Sequence, residues 1–225
     1  MENIFIKYLS KKVQKEEAKI FEPGPVITIS RQYGCYATEI AELLANNLSQ
    51  KSKHGWDFIT KEVLENTAQK LDTGKHDIAH LFGADEGNFI GDLLISFSGK
   101  HYKSDNLIKK TVQKVVRTYA EQGNCVIVGR AGCIIAKDIP KSIHVKIIAP
   151  IEYRTERIKN RFELTDKQAA DKVKEIDKKR DQFMNFFKTD FNNETGFDLI
   201  LNRATLTTKE IAETIEHLAI LKNLP

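Results

Sequence analysis

The chain has 225 residues, 41% hydrophobic and 29% charged, a length and balance that fit a folded globule with a real core and exclude a mostly disordered chain. Thirty-five Lys and Arg against 31 Asp and Glu leave a net charge of +4, too mild to point to nucleic acid by itself but compatible with a small anionic substrate. No apolar run approaches the roughly 18–20 residues of a membrane span, the N-terminus lacks the long apolar stretch of a secretory signal, and the three cysteines, Cys35, Cys125 and Cys133, match neither a zinc pattern nor a disulfide framework, so the expectation is a reducing, cytoplasmic protein without membrane or nucleic-acid partners.

Residues 1–22 read as an N-terminal helical extension (Ile4, Leu9, Val13, Ala18) that stops before Pro23-Gly24-Pro25. Residues 25–225 then alternate between strand and helix patterns. Short apolar, β-branched runs predict strands at Val26–Ser30, Asp57–Ile59, Asn124–Val128, Ile143–Ala149 and Phe197–Leu201, the pattern required of a parallel sheet covered on both faces. Between Asp105 and Gln122 two apolar rows step by four, Leu107, Thr111, Val115, Tyr119 and Ile108, Val112, Val116, Ala120. They predict a buried helix face, with Gly123 at its stop. Thr165 with Gln168, and Thr207 with Glu210, have capping-box spacing and predict helix starts. The alternation argues for a wound α/β fold with right-handed crossovers. Residues 83–104 carry four glycines around an apolar patch from Phe89 to Phe97 and read as a loop-rich insertion of the kind placed over binding sites.

The segment Ser30-Arg-Gln-Tyr-Gly-Cys-Tyr-Ala-Thr38 follows the first strand and opens a helix (Ile40, Leu43, Leu44, Leu48). In α/β proteins backbone N–H groups and the helix dipole converge on an anion at such a place. Against the phosphate-loop template G-x-x-x-x-G-K-[ST], Arg31 takes the first Gly, Tyr36 the second and Ala37 the Lys; Thr38 keeps the hydroxyl position and Gly34 lies inside. Phosphoryl transfer needs positive charge near the phosphates. Ala37 cannot supply it; Arg31 could, and Thr38 could hold Mg²⁺. The alternative is a plain strand–helix turn with an ordinary arginine. After the middle strand, Gly129 permits close backbone approach and Arg130 would project from the carboxyl end of the sheet, able to hold a phosphate bidentately; the alternative is a pairing with a carboxylate such as Asp138.

Arg154, Arg157 and Arg161 are spaced three and four apart and share one helix face. The next helix carries Asp177-Lys-Lys-Arg180. Arginines beside the junction Glu163–Thr165 suit a lid closing on a polyphosphate; the alternative is a solvated face with Glu152, Glu156, Asp177 and Asp181 as internal partners. Phe183, Phe186 and Phe187 read as core packing or a subunit contact. His76 and His80 could ligate a metal only with a third ligand, and none of suitable spacing follows, so they read as surface residues. Cys35 falls near a helix N-terminus, which can lower a thiol pKa; a buried, idle thiol is the favoured reading.

Taken in order, Ile27-Thr-Ile-Ser-Arg-Gln-Tyr-Gly34, Val126-Ile-Val-Gly-Arg130, Ile143-His-Val-Lys-Ile-Ile-Ala-Pro150, Arg154-x-x-Arg157, Ile176-Asp-Lys-Lys-Arg180 and Phe197-Asp-Leu-Ile-Leu-Asn202 resemble the cytidylate kinase-like proteins, relatives of bacterial CMP kinase among the P-loop nucleoside monophosphate kinases. The resemblance covers about residues 25 to 220. It implies a three-layer P-loop kinase-like fold, with a five-stranded parallel sheet, helices on both faces, a monophosphate-binding insertion at 58–104 and a helical lid at 151–190. It also implies ATP-dependent phosphorylation of a nucleoside monophosphate, CMP or dCMP first, with ATP and Mg²⁺ as cofactors; a homodimer is compatible with it. Ser30, Arg31, Gly34, Cys35, Tyr36, Ala37 and Thr38 then match the ATP-phosphate loop, Gly129 and Arg130 the monophosphate contact, and Thr38 the metal position. Arg31, Arg154, Arg157, Arg161 and Arg180 match the groups that stabilise the transferring phosphoryl. The chain departs from the family pattern at Cys35, Tyr36 and Ala37, where Ser-Gly-Gly is usual, and at Thr60 and Ala131, where acids are usual. These departures keep two other readings open, a nucleotide- or phosphate-binding protein with impaired catalysis and a small-molecule kinase with a different acceptor.

Overall fold

The computed structural model of the chain describes residues 23–60, 104–187 and 195–225, with only the backbone for 104–111. The N-terminal helix expected over 1–22, His76, His80 and all but the last residue of the insertion expected at 83–104 lie outside the described residues.

Five strands form one parallel sheet: β1 (Val26–Arg31), β2 (Asp57–Ile59), β3 (Cys125–Val128), β4 (Ser142–Ile148) and β5 (Leu199–Asn202). They lie in the order β2-β3-β1-β4-β5. The register pairs Thr28 with Ile127 on one side and His144 on the other. The helices are α1 (Ala37–Lys51), α2 (Ser104–Gln122), α3 (Gly132–Ile135), α4 (Ile151–Phe162), α5 (Asp166–Phe187) and α6 (Thr208–Leu221). Among the described residues no helix is long and apolar enough to cross a membrane.

Because successive strand residues point to opposite faces, the apolar runs serve two cores. Ile27, Ile29, Val126, Val128, Ile143, Val145 and Ile147 face α1 and α6, where they meet Ile40, Leu44, Leu48, Ile211 and Ile215. Val26, Ile59, Cys125 and Ile127 face the other way, toward Val112, Val116 and Tyr119 of α2, Ile134 of α3 and Phe183 and Phe187 of α5. Each fully buried Ile or Leu contributes about 1.5–3 kcal/mol. Burial on both faces gives β1 and β3 near-continuous apolar runs, whereas β4 alternates, with His144 and Lys146 between Ile143, Val145 and Ile147, and Ile200 of β5 is exposed. On the α1–α6 side, the buried Glu216 is compensated by Lys51 and by the Asn47 amide at 2.8 Å. The predicted helix rows hold where side chains are described: Val112, Val115, Val116, Tyr119 and Ala120 are all buried. Phe183 and Phe187 are core residues with Phe186 packed against them, which settles that trio as packing. Both capping boxes form. Thr207 and Glu210 exchange hydrogen bonds, and so do Thr165 and Gln168.

Two elements differ from expectation. β5 starts at Leu199, not Phe197, because the Asp198 carboxylate accepts the His144 N–H at 2.7 Å and the regular ladder begins one residue later. The short α3 was not anticipated; Gly129, Arg130 and Ala131 take three consecutive left-handed conformations and turn the chain straight from β3 into it.

Candidate functional site

The central strand β1 delivers Ser30 and Arg31 to the carboxyl edge of the sheet, where a turn of five residues leads into α1. The turn is fixed from several sides. Gln32 donates its N–H to the Ile147 carbonyl and accepts the Ala149 N–H on its side-chain oxygen, each at 3.0 Å. Cys35 N–H closes the turn on the Gln32 carbonyl at 3.3 Å. Gly34 has φ +90°, and a Cβ there would lie 3.0 Å from the Arg154 Cβ and 3.1 Å from its carbonyl oxygen, so both the backbone conformation and the space select glycine. Tyr36 ends the turn in the left-handed region, and α1 starts at Ala37 without a capping bond from the Tyr36 side chain.

A helical hairpin leans on this turn. α4 and α5 are joined by Glu163–Thr165, and their shared apolar seam, Ile158, Ala169, Val173 and Ile176, is completed by the buried Tyr33, with Tyr36 and Leu164 packed against it. The two loop tyrosines are therefore part of the hairpin's own core. A polar clamp sits beside that seam. Asp177 on α5 accepts the Tyr33 N–H at 2.7 Å on one carboxylate oxygen and pairs with the Arg154 guanidinium on the other. Arg154, only 5% exposed, also donates to the Tyr33 carbonyl at 3.2 Å and the Ala149 carbonyl at 2.9 Å. The peptide groups on both sides of Tyr33 are thus held by one ion pair.

The other arginines gather at the same place. The Arg157 and Arg161 guanidinium carbons lie 4.4 and 4.6 Å from the Tyr36 ring centroid. Arg180 lies 5.3 Å from the Tyr33 ring and donates to the Arg31 carbonyl at 3.3 Å. The Arg31 guanidinium runs over Gly129, where a Cβ would sit 2.1 Å from its Nη1; the glycine of β3's end makes room for the arginine of β1's end. Arg130 is half-buried one residue on, with φ +55°. Ser30 Oγ lies 3.4 Å from the Cys133 sulfur.

Electrostatics at the turn follow from this crowding. Burial pushes the Cys35 thiol up to about 11; Arg154, Arg180 and Arg157 pull the other way, and Asp177 adds to the rise. The thiol stays protonated near neutral pH, as the idle-thiol reading expects, and three arginines from two helices lie within electrostatic reach of it. Cys133 is likewise raised to about 11 by burial, opposed by the Ser30 hydroxyl. Asp181, on α5, is raised by desolvation and by Asp177, with Lys146 opposing.

The structure therefore brings together Ser30, Arg31, Gly34, Cys35, Tyr36, Gly129, Arg154, Arg157, Arg161 and Arg180 around one turn. Ala37 points into the core and Thr38 is exposed on the first turn of α1. The carboxylate considered as an Arg130 partner, Asp138, pairs instead with Arg117, which also bonds Glu121 at 2.7 Å. Asp177, Tyr33 and Gln32 were not singled out as site residues. The signal for Asp177 was available: it continues the helix row of Ala169, Val173 and Ile176, so its carboxylate falls on a buried face. Among the described residues no group of three His, Cys, Asp or Glu side chains could hold a metal. Mg²⁺ bound through phosphates keeps several waters and takes few protein ligands, and the exposed Thr38 hydroxyl could serve as one of them.

Residues 26–205 match the cytidylate kinase-like family. A curated cytidylate kinase of Sulfurisphaera tokodaii is 24% identical over 193 residues, covering 85% of this chain and 93% of that protein. A uronate isomerase of Corynebacterium glutamicum is 24% identical over a 91-residue segment, 40% of this chain but 18% of the isomerase, so the chain spans less than a fifth of that protein's length. Among solved structures, an uncharacterized protein from Eubacterium ventriosum ATCC 27560 superposes with a TM-score of 0.61 at 19% identity, over 87% of this chain and 98% of that one; it shares the fold. With the family match running through five strands and the arginine-bearing turn, the chain belongs to the cytidylate kinase-like family.

Proposed function

We propose that the protein transfers a phosphoryl group from ATP to a nucleoside monophosphate, with CMP or dCMP as the first acceptors to try, in a Mg²⁺-dependent reaction. The observation that carries this reading is the convergence of Arg157, Arg161 and Arg180, from two helices, on the turn between β1 and α1, with the Arg31 guanidinium beside it over Gly129. A helix N-terminus attracts phosphate through its dipole and its first N–H groups, and phosphoryl transfer is mostly positioning plus stabilisation of spreading negative charge. In this scheme the turn from Gly34 to Thr38 receives the ATP phosphates, and Arg157 and Arg161 approach them from α4. Arg31 and Arg130, on adjacent strand ends, hold the acceptor's phosphate, and Arg180 steadies Arg31 through its carbonyl. Bound Mg²⁺ would neutralise charge between the terminal phosphates, with the Thr38 hydroxyl as its protein ligand. The α4–α5 hairpin is the lid of this scheme, and it excludes water from the transfer.

A coupled ADP-release assay across all common nucleoside monophosphates and a panel of small hydroxyl acceptors tests the reading. Turnover with one or more monophosphates, lost in Arg130→Ala, is the expected result. Turnover only with non-nucleotide acceptors would replace the acceptor and keep the rest. The second reading, nucleotide binding without transfer, is favoured by one observation, the buried Ala37 where a loop lysine would stand. It predicts that ATP raises the melting temperature while no acceptor is phosphorylated.

A further inference from the structure

Tyr36 occupies a turn position where the phosphate-loop template has glycine, and its side chain is not idle. The ring is half-buried and stands against two guanidinium groups of α4, Arg157 at 4.4 Å and Arg161 at 4.6 Å, while its hydroxyl donates weakly to the Arg157 carbonyl at 3.5 Å. Arg157 also lies 5.5 Å from the Tyr153 ring, with its Nη1 3.4 Å from that hydroxyl, and Arg161 lies 5.7 Å from Phe162. Two like charges four residues apart on a helix repel, and among the described residues neither is held by a carboxylate. What gathers them is aromatic: the negative face of a ring attracts both cations at once. The ring is in turn seated by the Tyr33, Ile158, Ala169, Val173 and Ile176 seam.

We propose that Tyr36 is a positioning residue: its ring is the platform that gathers Arg157 and Arg161 at the start of α1, so that the triphosphate of ATP meets two guanidinium groups already in place. This rests on the ATP-dependent reading above and deepens it. In the template a lysine of the turn carries the charge to the phosphates. Here that position is the buried Ala37, and the charge arrives from the neighbouring helix, oriented by the ring next to it. On this account Tyr36 replaces no contact with ATP; it acts through the two arginines.

The test uses the full chain with three single variants and one double variant. Tyr36→Phe keeps the ring. Tyr36→Leu removes it while keeping an apolar side chain in the same left-handed conformation, which Tyr36→Gly would not. Arg161→Ala removes one of the guests. Without ligand, the side-chain Nε–Hε resonances of Arg157 and Arg161 should be displaced by the ring current in the wild type and in Tyr36→Phe, and should return to solvent-like positions in Tyr36→Leu. Calorimetric titration with MgATP should give wild-type affinity within about twofold for Tyr36→Phe and about tenfold weaker binding for Tyr36→Leu, the scale of two ring–cation contacts. On the Arg161→Ala background the same Leu change should cost clearly less, because the pathway is half removed. Undisplaced arginine resonances in the wild type overturn the platform. Equal or tighter MgATP binding by Tyr36→Leu overturns it as well, the latter because the ring would then be an obstruction. In both cases the ATP-dependent reading is left standing. A wild-type chain that binds no MgATP overturns that reading, and this inference with it. Thermal unfolding of each variant without ligand separates loss of platform from loss of fold.

Discussion

Replacing Asp177 with Ala removes the carboxylate that holds both the Tyr33 N–H and the Arg154 guanidinium. The first loss is a charge-assisted hydrogen bond of 2.7 Å, worth about 1.5–3 kcal/mol. The second leaves a guanidinium, itself 6% exposed, without its counter-charge. Breaking a fully buried pair costs about 3–5 kcal/mol, but the Asp177 side chain is 24% exposed and Arg154 keeps its bonds to the Tyr33 and Ala149 carbonyls. The two terms overlap on one carboxylate, so the expected net loss is about 3 kcal/mol, near the lower end. For a chain of this size that is a fall in Tm of about 6–12 °C. Urea unfolding followed by circular dichroism measures the free energy, and a parallel thermal scan measures Tm. Asp177→Asn, which keeps an acceptor for Tyr33 but not the charge, should lose about half as much. The double variant with Arg154→Ala should fall short of the sum of the single losses, since each removes the same pair. If Asp177→Ala loses less than about 1 kcal/mol, the clamp is not holding the turn, and the account of how the α4–α5 hairpin is attached to it fails.

Gly34→Ala meets two obstacles at once, a φ of +90° and a Cβ 3.0 Å from the Arg154 Cβ. It should destabilise by about 2–4 kcal/mol; a variant as stable as the parent in urea would show that the turn can move away from α4 at little cost. His144 gives the pH dependence. Burial lowers its pKa, with Asp198 opposing and Lys222 adding to the fall, and Thr28 Oγ1 lies 2.8 Å from its Nδ1. The unfolded chain therefore binds a proton more readily than the folded one. The stability that the neutral imidazole contributes is fully present above the unfolded value near 6.5 and is lost as pH falls below it, with a slope of at most about 1.4 kcal/mol per pH unit. Unfolding free energies measured from pH 7.5 to 5 should decline for the parent and decline less for His144→Gln; equal slopes would assign the acid sensitivity elsewhere.

The strands were legible because the core-facing positions of β1, β3 and β4 are β-branched and apolar in short runs, and the sheet's α/β class follows from their alternation with helix patterns. The two capping boxes were legible for a local reason, the reciprocal bonds of residues three apart. The site was legible only where its geometry is local. Gly34 and the exposed Thr38 could be placed from the strand–turn–helix context, and Ala37 could be recognised as no cation. The partition of the α4 arginines could not. Arg154, Arg157 and Arg161 share one helix face by spacing, but spacing is silent about how close each turn of that helix comes to the sheet. The first turn of α4 packs on the loop and buries Arg154 in an ion pair, whereas Arg161, two turns on, is exposed. Likewise α3 carries no sequence signal, because Gly-Cys-Ile-Ile has the composition of a strand end, and only the three left-handed residues before it turn the chain into a helix.

The departures from the family pattern at Tyr36 and Ala37 read differently once the hairpin is in view. A phosphate loop of the G-x-x-x-x-G-K-[ST] type carries its positive charge on its own lysine. Here the turn contributes two tyrosines to the hairpin's apolar seam, and the hairpin contributes arginines to the turn. Each half is completed by the other, and the residues that join them, Tyr33, Asp177 and Arg154, make contacts that any opening of the hairpin would have to break. The tyrosines that stand in this turn are therefore also part of what attaches the α4–α5 hairpin to it. A tyrosine in the turn costs open space for phosphate, and it gains a fixed seat for the cations that phosphate needs. In the proposed scheme, that coupling makes arginine placement, rather than loop composition, the feature on which ATP binding turns.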